Sequence, residues 1–422
     1  MWQPKHLLIL VAVSLCSVLA CTVAGDGGGR PLVTAVTKDA ATSLYTIPVK
    51  SGRPMVLDLS GPIVWSTCDD GATHDTLECN DIDCMRAHRF HPPSTGMPDV
   101  HSQYPCKCTA HPHNPVSGDT ASGDMTRVAL SANATDGINP LGPVSFTAVT
   151  SCAPDSLLQG LPEGAVGMAG LARSSLAFPA QVTGTQGVAS SFALCLSSSQ
   201  GNGVAIFGGG PLFVLGQPIS EMLGGSTPLR KYKDSPGYYI MASKGITVDG
   251  VKVPPGEHAP LTIGLSTTIP YTELRRDVYR PFIDAFDQAM ERWGAAGLRV
   301  PSPAAAPFEL CYNASKLSQT RFGFFVPRIN LKLDGGWIWP VFGMNSIARV
   351  DRATACLAFV EMKAGDKAGY GGGATPAAVI GGFQMENLLL VFDEEKQTLG
   401  FTAGQHLING RSCGQFNFTM PA

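Results

Sequence analysis

Short runs of alternating apolar and polar residues, bounded by Gly, Pro or Asn, recur along most of the chain and predict strands rather than helices. In the first half they fall at Leu32–Val36, Tyr45–Val49, Met55–Leu59, Met125–Leu130 and Val144–Val149. In the second half they return at Tyr238–Ser243, Gly245–Val248, Arg328–Leu333, Ala377–Ile380 and Leu388–Phe392. One stretch breaks the pattern. From Arg275 to Trp293, the residues Val278, Phe282, Phe286, Ala289, Met290 and Trp293 recur at helical spacing, with Gly294 as a stop, which predicts one amphipathic helix packed on the core. The Gly- and Pro-rich stretch Gly208–Gly225 predicts a boundary between two lobes, and Gly365–Pro376, with Gly371-Gly372-Gly373, predicts a mobile loop. The pattern predicts a mainly β protein in two lobes.

Composition supports that reading. A chain of 422 residues with 44% apolar and 15% charged residues, 48 Gly and 32 Pro has material for a large core and many turns. Such numbers exclude collagen, coiled coil and wholesale disorder. A formal charge of −3 without a basic stripe excludes a nucleic-acid binder that relies on phosphate neutralisation. The N-terminus reads as a secretory signal. Lys5 precedes the uncharged run Leu7 to Ala20, and Thr22-Val23-Ala24 supply small residues at the exit. Cleavage is expected near Ala24, leaving 29 basic and 33 acidic residues, a charge near −4. No later run is long and apolar enough for a membrane helix, so a secreted, soluble protein is expected, with no membrane partner.

Cysteine usage fits export. Cys16 and Cys21 leave with the signal, and ten remain: Cys68, Cys79, Cys84, Cys106, Cys108, Cys152, Cys195, Cys311, Cys356 and Cys413. An even number in an exported chain predicts five disulfides. A metal site is the competing reading of the Cys68–Cys108 cluster, with His74, His88, His91, His101, His111 and His113 nearby. The spacings match no zinc finger, so disulfides are expected and neither metal nor cofactor. Sequons at Asn133, Asn313 and Asn417 permit glycosylation in the same compartment.

Several motifs stand in a matching order in the two halves. Met55-Val56-Leu57-Asp58-Leu59-Ser60-Gly61 is followed by Val64-Trp65, then by Ala165-Val166-Gly167-Met168-Ala169-Gly170-Leu171 and Ser175-Leu176-Ala177-Phe178-Pro179-Ala180-Gln181. Later come Val379-Ile380-Gly381-Gly382-Phe383-Gln384-Met385-Glu386-Asn387, Val391-Phe392-Asp393 and Leu399-Gly400-Phe401. With Phe207-Gly208-Gly209-Gly210-Pro211 and Glu309-Leu310-Cys311-Tyr312, these resemble the plant branch of the pepsin-like aspartic proteases across almost the whole mature chain. The resemblance implies a bilobal, mainly β fold with a long cleft. It divides the chain into a signal at 1–24, an N-terminal lobe at 25–215 and a C-terminal lobe at 216–422.

Aspartic protease chemistry needs two carboxyl groups that share one proton, one from each lobe, each in an Asp-Thr/Ser-Gly-Ser/Thr turn. Here the first turn reads Asp58-Leu59-Ser60-Gly61, with Leu and Gly at the hydroxyl positions and Ser for the central Gly. The second reads Ile263-Gly264-Leu265-Ser266-Thr267-Thr268. Ser266 is expected in place of the second aspartate, with Gly264 the alternative in a shifted register, and no acidic residue occurs between Glu257 and Glu273. The segment Cys108 to Gly123 also lacks the flap tyrosine. Asp58 is then a vestigial turn residue, and no peptidase activity is expected.

Within this branch, the chain resembles the TAXI-type xylanase inhibitors, relatives of the basic 7S globulins and extracellular dermal glycoproteins. Val56 to Cys68, Leu274 to Phe282 and Ala355 to Met362 carry that likeness. The resemblance implies an extracellular plant defence protein of the cell wall, a monomer, whose C-terminal-lobe segments block the active site of microbial family 11 xylanases. The position of the family's inhibitory histidine falls on His406, and that of its apolar anchor on Leu317. An imidazole can donate to the paired carboxyl groups of a retaining glycosidase, which lie about 5–5.5 Å apart, and a leucine can replace the apolar face of a sugar. Taken alone, His406 reads as a surface residue, and Leu317 could simply cap the lobe core. The resemblance also implies the bridges Cys311–Cys356 and Cys195–Cys413. A storage or wall globulin and a residual aspartic protease are the rival readings.

Overall fold

The computed structural model describes residues 29–68, 75–90, 106–198, 201–209, 213–214, 217–254, 260–304, 306–363, 375–402 and 412–415. The expected signal segment and most of the expected mobile loop lie outside them. Two halves share one plan. In the first, Arg53–Asp58 is a central strand, because Met55, Val56 and Leu57 bury both of its faces. It pairs antiparallel with Tyr45–Lys50 and parallel with Gly167–Gly170, where Val56 faces Met168 and Asp58 faces Gly170. A long hairpin, Gly123–Thr135 against Pro140–Ala153, closes this half. It turns at Asp136, whose carboxylate accepts the N–H groups of Ile138 at 2.8 Å and Asn139 at 2.7 Å, while Gly137 takes φ 98°.

The second half repeats the arrangement. Ser235–Ala242 runs antiparallel to Leu261–Leu265, which runs parallel to Ala378–Ile380. Behind this sheet lies the helix Arg276–Met290, burying Val278, Tyr279, Phe282, Ile283, Phe286, Ala289 and Met290. Arg275 fixes its start with a two-pronged contact to Asp277, Nε at 2.6 Å and Nη2 at 2.8 Å. The helix is shorter than the periodicity predicts. It widens after Met290 into a π turn, Glu291–Ala295, with Gly294 at φ 82°. The wider turn rotates Trp293 away from the buried face, and its side chain is 40% exposed rather than packed in the core.

One sheet joins the halves. Its thirteen strands include Ser191–Cys195 and Gly203–Phe207 from the first half, and Leu389–Asp393 and Thr398–Phe401 from the end of the chain. Phe192 stacks on Phe392 across this junction, centroids 4.6 Å apart. Leu389–Asp393 matches the strand expected at Leu388–Phe392, whereas Ser191–Cys195 and Gly203–Phe207 are absent from the sequence prediction, because burial on both faces removes alternation: all five residues of Gly203–Phe207 are buried. The disulfides follow the same plan. Cys68–Cys152, Cys79–Cys106 and Cys84–Cys108 staple the first half, and Cys311–Cys356 joins paired strands of the second. Cys195–Cys413 ties the end of the chain to the shared sheet.

A buried polar latch crosses the same junction. Glu386, 2% exposed, accepts from Lys38 Nζ at 2.6 Å and from the Tyr45 hydroxyl at 2.7 Å. Gly382 lies so close to the Tyr45 ring that a Cβ there would stand 2.6 Å from Cε2. Burial pushes the Glu386 carboxyl above its ordinary value, and Lys38 and the Tyr45 hydroxyl pull it back. Lys38→Met leaves this carboxylate without its cation. It is expected to lower unfolding free energy by about 2–3 kcal/mol, less than a fully buried pair because Lys38 keeps some water contact. Urea unfolding checks this, and the double variant Lys38→Met/Glu386→Gln is expected to recover part of the loss.

Candidate functional site

The two halves meet at a pair of equivalent turns. Asp58 faces Gly170 in the first, and extension of the register Leu265↔Ile380 by one residue sets Ser266 opposite Gly381 in the second. Both glycines are required by space. A Cβ on Gly170 would collide with the carbonyls of Gly61 and Ile63, and one on Gly381 with the backbone of Tyr271. The side chains reproduce each other's hydrogen bonds. Asp58 Oδ1 accepts from Ser60 N–H at 2.9 Å and from Ser60 Oγ at 2.7 Å. Ser266 Oγ accepts from Thr268 N–H at 3.2 Å and lies 3.0 Å from Thr268 Oγ1. A hydroxyl thus replaces a carboxylate as turn acceptor.

Thr267 links the turns. Its hydroxyl donates to Leu57 C=O at 2.6 Å and accepts from Leu59 N–H at 3.2 Å. The equivalent position in the first half is Leu59, fully buried, which can only pack. The grip is therefore one-sided. Asp58 is 2% exposed and Ser266 7%. Burial raises the Asp58 carboxyl above its ordinary value, against the lowering effect of the Ser60 donors and of His113. His113 lies on the hairpin formed by His113–Asn114 and Asp119–Thr120, with its ring Nδ1 3.0 Å from Thr120 Oγ1. Burial lowers its imidazole below the ordinary value, and Asp58 opposes that shift. The Trp65 indole donates to the His113 carbonyl at 3.2 Å and holds the hairpin over the turn. The two turns hold one acidic group, Asp58, among the hydroxyls of Ser60, Ser266, Thr267 and Thr268, with the His113 imidazole near enough for the two charges to interact, and no second carboxyl is present in either turn.

The other expected residues are scattered. Leu317 takes the core alternative: it is 9% exposed and belongs to the main hydrophobic cluster. His406 and Asn417 lie outside the described residues, as do His74, His91 and His101. The segment containing His406 is held at both ends, by buried Thr402 and by Cys413, whose N–H donates to Asn387 Oδ1 at 3.2 Å. Asn133 sits on the long hairpin, paired with Pro143. Asn313 Oδ1 is engaged by Ser315 N–H and Oγ at 3.1 and 2.6 Å. Cys84, His88 and Cys108 come together, but the two sulfurs are bonded to each other, and His88 Nε2 lies 3.0 Å from Thr109 C=O.

Sequence reasoning missed two contributors. Thr267 was legible only as part of a turn, since its role needs the partner half. His113 stood among the candidate metal histidines, and nothing in its spacing points to Asp58, more than fifty positions away.

Comparison with known proteins agrees with this geometry. The family model for the N-terminal part of xylanase inhibitors matches residues 45–209, and that for the C-terminal part matches residues 237–403. A rice protein named Chitinase CLP (Oryza sativa subsp. japonica) is 56% identical over 98% of this chain and 99% of its own. The Nicotiana benthamiana protein named Probable aspartic proteinase GIP2 is 31% identical over 97% of this chain and 98% of its own. The crystal structure of edgp superposes with a TM-score of 0.78 at 29% identity, covering 93% of this chain and 99% of that one. The paired turns, the shared sheet and these matches lead to one assignment: the chain belongs to the TAXI-type xylanase-inhibitor family, built on the bilobal pepsin-like fold.

Proposed function

We propose that the protein is a secreted, non-proteolytic inhibitor of microbial family 11 xylanases, which presents His406 to the carboxyl pair of the enzyme. The observation that carries this reading is the match of both xylanase-inhibitor models, in order, on a scaffold whose second turn has Ser266 where a dyad needs a carboxyl. A lone carboxyl with a hydroxyl partner cannot share one proton between two acids, so the peptide-hydrolysis step has no base and acid pair. Buried Thr402 and the Cys195–Cys413 bridge fix where the chain on either side of His406 meets the fold. Leu317 faces the core, so the reading rests on His406. The N-terminal signal pattern and the five disulfides support export.

A chitin-directed activity is the second reading, favoured by the 56% identity to a relative named as a chitinase. The recess that would suit glycan chemistry lies beside the helix, lined by Tyr271, Tyr279, Phe308, Glu273, Glu309 and Glu361. There, Arg280 engages both oxygens of Glu309 at 2.8 Å and also binds Glu361. Hydrolysis requires a carboxyl placed to give up a proton, and one guanidinium holding both carboxylates works against that.

Two results are expected. The purified protein inhibits a panel of family 11 xylanases, and His406→Ala weakens the inhibition constant by about 100-fold, as for a central hot spot; release of sugar from chitin oligosaccharides with no inhibition would favour the second reading. Asp58 gives the other. Its raised carboxyl binds a proton in the folded state that the unfolded chain releases, so stability falls as pH rises between the ordinary and the raised values. Asp58→Asn keeps an acceptor for Ser60 and removes this loss. The variant should melt higher than the parent at about pH 7, with the difference closing toward about pH 3.

A further inference from the structure

We propose that an arginine-aromatic face of the second half binds an acidic polysaccharide built of uronic acid units. Phe322 and Phe342 stack with centroids 5.0 Å apart and planes 21° from parallel. Arg321 lies over Phe322 at 4.9 Å, and Arg328 over Phe342 at 5.1 Å. Arg349 lies over the neighbouring Phe324 at 5.0 Å. All three arginines are exposed, and none has a carboxylate partner among the described residues, in a chain whose formal charge is −3.

The face continues into an exposed aromatic pair. Trp293, turned outward by the π turn, lies 4.9 Å from Phe325, and their exposures are 40% and 57%. The Trp293 indole donates to Asp249 Oδ2 at 3.0 Å, and Asp249 N–H donates to Arg328 C=O at 2.9 Å, which ties the pair to the backbone that carries Arg328. The acidic groups nearby are occupied. Asp249 holds the indole, and Asp351 accepts the N–H groups of Ala353 and Thr354.

These features select a ligand chemistry. A guanidinium held over a ring loses little freedom on binding and presents a fork of N–H donors to a carboxylate, although Arg349 gives one of its own to Arg352 C=O at 3.3 Å. The carbon–hydrogen face of a pyranose packs on exposed aromatic rings. A chain of uronic acids offers both, a carboxylate and an apolar ring face on each unit. An acidic protein segment would satisfy the arginines but leave Trp293 and Phe325 without a specific partner. A denser polyphosphate is disfavoured by the overall negative charge.

The test uses the full secreted chain and three probes: polygalacturonate, its fully methyl-esterified form and polyglutamate. Binding to polygalacturonate is expected, falling with added salt, with little binding to the ester. The variant Arg321→Gln/Arg328→Gln/Arg349→Gln should weaken it by about tenfold or more, because charge-assisted contacts are lost. The corresponding triple lysine variant, which keeps charge but not the fork, should recover only part. Trp293→Ser/Phe325→Ser should weaken polygalacturonate without changing any binding of polyglutamate. Thermal unfolding of each variant separates loss of binding from loss of fold. Undiminished binding in the folded glutamine variant, equal binding of the ester, or polyglutamate held as tightly as polygalacturonate would overturn the proposal; the last would point to an acidic protein instead.

Discussion

A single buried hydroxyl joins the two halves at their centre. Thr267 gives its proton to Leu57 C=O and receives one from Leu59 N–H, so two backbone groups in a dry junction are satisfied by one side chain. Unmade, each would cost about 1–3 kcal/mol. The same demand recurs outward from this point. Gln384 donates to Asn345 C=O and Ala358 C=O and accepts from Thr272 N–H. Gln181 does the equivalent for Val149 and Leu176 in the first half. Farther out, Lys38 and Tyr45 meet Glu386. The halves are held by polar groups that need each other, and by a sheet that includes strands from both.

On the proposed reading, that constraint accounts for how a protease fold can persist without protease chemistry. The turns must keep their hydrogen bonds for the junction to pack, and a serine hydroxyl meets that need at position 266 as a carboxylate does at 58. What a hydroxyl does not provide is an acid of matching strength. On this reading the architecture remains and the shared proton is gone, leaving the surface segments to carry the function.

Much of the fold was legible in the sequence, because half-buried strands alternate and the motifs around Asp58, Gly170 and Gly381 stand in a fixed order. Other parts were hidden for physical reasons. Gly203–Phe207 is buried on both faces and shows no period of two. Trp293 keeps helical spacing in the sequence, yet a π turn changes its direction by fitting an extra residue into the turn. Leu317 and its neighbours look like a surface anchor flanked by Lys316 and Ser318, and only the packed structure shows the side chain turned inward. The His113 charge interacts with Asp58 through a hairpin that no local pattern encodes.

On the proposed reading, this scaffold acts on another enzyme by binding it and not by cutting it. The most direct measurement is a titration of a family 11 xylanase with the secreted protein at mildly acidic pH, following residual xylanase activity and, in the same samples, the intact mass of the xylanase chain. The account predicts a saturable loss of activity with the xylanase mass unchanged. Cleaved xylanase, or full activity at saturating protein, would contradict it.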